Sequence, residues 1–400
     1  LVTETRASLS AIDLALGDRD KAMTGALDVE RLGREQLLFT VRYLPERQAM
    51  TYASSRPQGL NLALTILSSS PADSSRVLDS VIRSRGILLD EFAAARRNET
   101  SNSSPEVAAL VNTTTAARQR FANLVIRSLQ EPVPRELLDE ARRQKDEAER
   151  ALGERNLDAR AELTRFSAGV EAARRALPAN AALVSFVRYE RKSKPAGSSY
   201  GAFVVTPESD RVAFVQLGSA STLDKIVEEW RKEASGKSIA RGVPASQAER
   251  MYLTAAIRLR RSVWDPLLSD IGSASRVFVV PDGRLNLVNL SALPDGNGYL
   301  AERNAIIHYL TTERDLLSID REPTATHGLL TVGGPAFDEG PDAPAAAEAR
   351  RGAECQSLAQ IHFNNLPGSL SEVAAIGSLW PKTNANDVVL LSGAAAIETA

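Results

Sequence analysis

The spacing of the apolar residues changes once along this chain, close to residue 178, and that change limits the fold more than any other feature. From Leu1 to about Leu177 apolar residues recur at steps of three and four, which puts them on one face of a helix. Leu37, Leu38, Val41 and Leu44 make one such stripe, with Pro45 expected to kink or end it. Val77, Leu78, Val81, Ile82, Leu88, Leu89 and Phe92 make a second. The polar run "NETSNSSP" closes that stripe, and its "SSPE" resembles an N-cap followed by Pro in the first helical turn. The charged stretch from Pro134 to Leu177 has a thin apolar seam, as in a long helical hairpin. A clean repeat of about 34 residues is not visible, so the expectation is a degenerate helical-repeat array.

Beyond that point the pattern is that of strands. Leu183, Val184, Phe186 and Val187 open one; "AFVVTP" and "RVAFVQLG" give two more, and the three read as an antiparallel meander. Helices are predicted at about 221–235 and 246–262. They are followed by the short runs "RVFVVPDG", "AIIHYL", "GLLTVGG" and "DVVLLSG", with the helical "SLSEVAAIGSLW" before the last. Apolar strands alternating with amphipathic helices predict an α/β domain with a mostly parallel sheet covered on both faces. The polar segment "DEGPDAPAAAEARRGAECQSLAQ" reads as a long mobile loop.

Composition excludes several classes. Four hundred residues predict at least two domains. The 48 basic and 50 acidic side chains nearly cancel, so no global field recruits nucleic acid or an anionic membrane. Forty of the basic residues are arginine, a bias that fits a GC-rich genome better than a binding function. The single cysteine, Cys355, rules out an internal disulfide or a zinc site built on paired cysteines, and suits a reducing cytoplasm. No apolar run approaches the roughly 18 residues of a membrane span. Without an initiator Met or a secretory leader, the chain reads as a piece of a longer, bacterial cytoplasmic protein. The sequons at Asn98, Asn102 and Asn112 read as one polar loop.

Candidate chemistry fails on context. "SGKS" at 235–238 has Arg231 where a phosphate loop needs Gly, and "TVGGPAF" lacks the third Gly of a dinucleotide fingerprint, so no nucleotide cofactor is expected. His308, His327 and His362 lack metal-ligand spacing, so no metal is expected either. His308 reads as a hydrogen-bonded strand residue and His362 as a loop residue. Cys355 lies inside the long polar segment, with Glu354 opposing any activation by Arg350 and Arg351, and reads as an incidental thiol. His327 precedes its strand, opposite the end where open parallel sheets place their reacting groups. No catalytic residue is assigned.

The ordered series "LPANAALVSFVRYE", "YGAFVV", "VQLGSASTLDKIVEEWR", "SVWDPLL", "VFVVPDGRLNLVNLSALPD", "YLAERNAIIHYLTTERDLL", "LLTVGGPAF", "LPGSLSEVAAI" and "VVLLSGAAAIETA" resembles the CHAT domain, a caspase- and separase-related module. The likeness runs from about Leu177 to Ala400. The helical half resembles the tetratricopeptide-like region that precedes such domains. This resemblance implies two regions: a helical one at 1–178 and, at 179–400, a caspase-like α/β domain incomplete at its C-terminus. It also implies a cysteine endopeptidase with a His–Cys dyad, no cofactor, and protein substrates and regulators as partners. In such domains the dyad follows the segment here reading "LLSGAAAIETA", so neither His327 nor Cys355 matches it and the chain is expected to be inactive alone. A non-catalytic interaction scaffold is the alternative.

One loop of this chain is placed to meet a substrate. "PDGRLN" follows the strand "VFVV" at its carboxyl end, where Asp282 would favour a basic residue at the cleavage site and Arg284 an acidic one. The other reading, which we favour, is that "PDG" is only a turn. Ser369 and Glu372 have the spacing of a capping box at a helix start.

Overall fold

The computed structural model describes residues 2–41, 46–56, 58–91, 105–128, 133–155, 168–191, 197–302, 306–319, 328–336, 366–380, 388–393 and 395–396. The chain divides into two compact units, Leu1–Ile319 and Asp320–Ala400.

The first unit opens with helices α1 (Val2–Ala15) and α2 (Arg19–Val41), packed as a hairpin, followed by α3 (Glu46–Ser55). The next helix, α4 (Leu60–Leu67), reads "LNLALTIL" and buries every residue from Leu62 to Leu67, as a helix apolar all round must. Its first turn is held by a buried carboxylate: Glu30 accepts from Gly59 N (3.1 Å) and from Arg56 Nη2 (2.7 Å). Helix α5 (Ser74–Ser84) is amphipathic and buries Val77, Leu78, Val81 and Ile82, as predicted. The stripe does not continue through Leu89, which is 64% exposed. Arg85 is extended and Gly86 has φ +70°, so the helical turns at 87–91 start in a new phase.

Helices α6 (Pro105–Ser128) and α7 (Arg135–Arg155) form a hairpin, with Thr114 Oγ1 donating to Ala148 O (3.2 Å) and Arg142 stacked over Phe121 (5.6 Å). Asn112 therefore lies on a helix, not in the expected polar loop, because Pro105 opens a run of good helix formers. Phe92, Asn98 and Asn102 lie outside the described residues. A short helix, α8 (Val170–Ala176), leads into the sheet.

Strands β1 (Ala181–Arg191), β2 (Gly197–Val205) and β3 (Ala213–Ser219) make the antiparallel meander. Helices α9 (Ala220–Ala234), α10 (Lys237–Ala240), α11 (Ala245–Val263) and α12 (Leu268–Ile271) follow. Strand β4 (Arg276–Val280) then pairs parallel to β1. After the two-residue strands β5 (Pro294–Asp295) and β6 (Gly298–Tyr299), strand β7 (Ile306–Tyr309) pairs parallel to β4. The sheet order is β3-β2-β1-β4-β7. It is thus mixed, with two antiparallel and two parallel pairings, rather than mostly parallel, because the meander and the parallel strands share β1.

Both faces of this sheet are covered. On one, Leu183, Val187, Phe203, Phe278 and Val280 pack with Leu62, Ile66, Val77, Leu78 and Val81 of α4 and α5. On the other, Val184, Phe186, Val204, Val277 and Val279 meet Leu223, Val227 and Trp230 of α9 and Leu259 and Val263 of α11. Strand β1 buries its first seven residues, which is why it reads as a continuous apolar run. One layer of the α/β sandwich is therefore supplied by the N-terminal helices. The change from helix to strand falls at residues 176–181, while the break between compact units falls after Ile319.

In the second unit, β8 (Leu329–Pro335) and β9 (Val388–Gly393) pair in parallel, and α13 (Pro367–Leu379) packs against both. Ser369 is not the N-cap. The helix begins two residues earlier, with Pro367 in its first turn and Leu366 as N-cap. The Ser369 hydroxyl instead donates to Leu366 O (2.8 Å) and accepts from Gly334 N (2.9 Å), tying the helix to the end of β8.

Candidate functional site

The parallel strands β1, β4 and β7 end on a common edge of the first unit, and the loop carrying Asp282 and Arg284 leaves from there. Its conformation follows from local chemistry. Asp282 caps a 3-10 turn, Gly283–Leu287, by accepting from Gly283 N (2.7 Å) through Oδ1. Through Oδ2 it accepts from Arg188 N (2.7 Å), so the side chain continues the β1–β4 ladder beyond the end of β4. Gly283 has φ +57°, and a Cβ there would collide with the Tyr200 hydroxyl and lie 2.8 Å from Arg188 Cδ. Only glycine satisfies both conditions.

Tyr200 locks the loop from beneath. Its hydroxyl donates to Asp224 Oδ1 (2.8 Å) and accepts from Arg284 N (2.9 Å). Burial, helped by the bond to Asp224 and opposed by the Arg284 N–H, pushes its phenol up to about 12. The Arg284 side chain is half-exposed and meets Glu228 at 3.5 Å. The two loop residues thus differ: both carboxylate oxygens of Asp282 are engaged by backbone N–H groups, whereas the Arg284 guanidinium faces solvent with one long ion pair.

Close to the same edge lies a buried polar cluster for which the sequence offered no signal. Glu313 is fully buried, and its Oε1 accepts from Ser185 Oγ of β1 (2.6 Å) and from Arg85 Nη1 (2.8 Å). Arg85 also donates to Phe186 O (2.6 Å). The neighbouring Arg314, 1% exposed, donates to the carbonyls of Ile82 and Arg85 and pairs with Asp90 (2.6 Å). It satisfies carbonyls left open where α5 ends. Thr312 and Asp315 form a capping box that fixes this segment. The cluster joins the helical layer to the sheet, and its partners stand more than 100 residues apart, so no local pattern marks them.

The remaining candidates have other settings. His308 lies on β7 opposite Phe278, with ring centroids 5.6 Å apart. "SGKS" spans the turn after α9 and the first two residues of α10, with Gly236 at φ +71° and Ser238 Oγ donating to Glu233 (2.6 Å). His327, Cys355, His362 and the long segment around Cys355 lie outside the described residues. Among the described residues no group of three or more His, Cys, Asp or Glu is placed to hold a metal ion. No helix among them is long and apolar enough to cross a membrane.

A mixed sheet with helices on both faces, behind a helical region, fits the caspase-like α/β class. Residues 253–400 match the family model described as the CHAT domain, which is associated with that peptidase fold. The match begins within α11 and covers about a third of the chain, leaving β1–β3 and the helices before α11 outside it. No curated protein matches the chain.

Proposed function

We propose that this chain is part of a CHAT-family cysteine endopeptidase that cleaves protein substrates, with a tetratricopeptide-like helical region that receives protein regulators. The observation that carries this reading is the family match over residues 253–400. The chemistry would use a His–Cys dyad outside residues 1–400: an imidazole helps form the thiolate, which attacks the peptide carbonyl, and water resolves the acyl-enzyme. Within this chain, Asp282 shapes the loop at the strand ends and Arg284 presents a guanidinium that favours an acidic substrate side chain. The Arg85–Glu313 pair supports a regulatory role for the helices, since a rearrangement at the end of α5 would act directly on Ser185 and Phe186 of β1 and on the segment that follows β7. The alternative, a non-catalytic scaffold, uses the same surfaces without cleavage.

The test is to express the native reading frame that contains these residues and assay cleavage of unfolded protein substrates before and after thiol alkylation. Thiol-dependent cleavage that survives Cys355→Ala and is lost when a cysteine outside residues 1–400 is replaced supports the peptidase. Cleavage lost with Cys355→Ala overturns the dyad assignment, and absence of cleavage favours the scaffold.

A further inference from the structure

Helices α2, α5 and the start of α8 enclose an open cleft of ≈ 500 Å³ on the helical side of the first unit. Its lining is rich in charge, and almost all of that charge is already matched. Arg31 lies 3.2 Å from Glu35 and 3.4 Å from Asp28; Arg83 donates to Asp79 at 2.7 Å; Arg76 pairs with Asp73 at 2.8 Å. Glu171, at the rim, is bound to Arg174. Arg34 differs: it is partly buried on the same wall and makes no hydrogen bond or ion pair among the described residues. Burial is the main cause of its lowered pKa; Glu30, Glu35 and Asp79 oppose the effect through space and Arg83 adds to it.

A partly desolvated guanidinium without a partner is unfavourable, and an incoming anion that binds it edge-on relieves this. The surroundings select the anion. Arg31, Arg76 and Arg83 on the same walls are already paired with carboxylates, so Arg34 alone offers an uncommitted cationic contact; one such contact matches a carboxylate better than a phosphate dianion. Leu27 and Val170 give an aliphatic stem something to pack on, and the volume suits a side chain with its flanking backbone rather than a small free ion.

We propose that this cleft is a recognition site for a single acidic side chain carried on a protein segment, with Arg34 as the residue that ion-pairs to it. The inference rests on the reading of the helical region as protein-binding and is independent of cleavage.

The experiment is calorimetric titration of residues 1–400 with the peptide acetyl-Gly-Glu-Gly-amide, its Gln counterpart and inorganic phosphate, at constant ionic strength. The expected result is saturable binding of the Glu peptide with a Kd on the order of 1 mM. The Gln peptide and phosphate should bind at least about tenfold more weakly, the loss of one charge-assisted contact. Arg34→Met, which keeps the stem and removes the charge, should weaken the Glu peptide by a similar factor; Arg34→Lys should retain part of the affinity. Equal binding of the Glu and Gln peptides, phosphate binding as tight as the Glu peptide, or an unchanged Kd in Arg34→Met overturns the proposal. So does an Arg34→Met chain that fails to fold, because it would show that Arg34 already has a structural partner. Failure of the peptidase assay leaves each of these outcomes as it stands.

Discussion

Replacing Arg85 with Met should destabilise the first unit far more than a surface arginine would. Arg85 supplies the charge partner of Glu313, whose side chain is 0% exposed, while Arg85 itself is 17% exposed. Removing one member of a buried pair costs about 3–5 kcal/mol, because the remaining charge is left without compensation. The partial exposure of Arg85 argues for the lower end, about 3 kcal/mol, and the lost donor to Phe186 O adds about 1 kcal/mol. The sum, about 4 kcal/mol, is a large share of the roughly 5–15 kcal/mol that holds a typical domain together. The double variant Arg85→Met with Glu313→Leu removes both charges and should recover about 2 kcal/mol of the summed single losses, since an apolar pair of similar size needs no compensation. The assay is urea unfolding followed by the fluorescence of the buried Trp230 and Trp264, in a Trp380→Phe background that silences the second unit. Because the pair is buried, the deficit should persist in about 0.5 M salt, where an exposed pair would be screened. A loss below about 1 kcal/mol, or strict additivity of the two substitutions, would refute the view that this pair couples the helical layer to the sheet.

Other predictions concern the loop after β4 and the chemistry. Gly283→Ala should cost about 1–3 kcal/mol, from the positive φ and the collision with the Tyr200 hydroxyl, read as a lower urea midpoint. Tyr200 is an acid whose folded pKa, about 12, lies above its unfolded value near 10. Its contribution is therefore complete below about pH 10 and is lost as pH rises towards 12; Tyr200→Phe should flatten the fall in stability over that window, measured by urea midpoints from pH 9 to 12. Arg284→Ala should change stability by no more than about 0.5 kcal/mol, since its ion pair with Glu228 is exposed; in the native protein it should instead lower cleavage at acidic sites. Residues 1–400 by themselves should show no thiol-dependent peptidase activity, and Cys355→Ala should leave that result unchanged in a fluorogenic peptide assay.

The secondary structure was legible wherever a periodic pattern met a clear boundary. The three strands of the meander, the helices near 221–235 and 246–262 and the runs that became β4, β7, β8 and β9 all stand where alternation or amphipathicity placed them. Errors arose where local and distant demands compete. Leu89 fits the helical stripe by spacing, but the break at Arg85 and Gly86 rotates it into solvent. Ser369 and Glu372 have capping spacing, yet Pro367 starts the helix earlier and the serine hydroxyl serves β8. For Asp282 the turn chemistry of "PDG" is visible in the sequence, while its bond to Arg188 is not.

What the sequence determined by itself is local: which segments are helices, which are strands, and that a family pattern runs through the C-terminal part. Those properties depend on residues a few positions apart, so they survive reading one segment at a time. Tertiary structure alone decided that the N-terminal helices form one face of the sandwich, that Arg85, Ser185 and Glu313 share a buried site, and that Arg34 is left without a hydrogen bond or short ion pair among the described residues. Burial and charge pairing depend on which distant segments meet in space, and the energy of an ionised group is set by that meeting rather than by its neighbours in the chain.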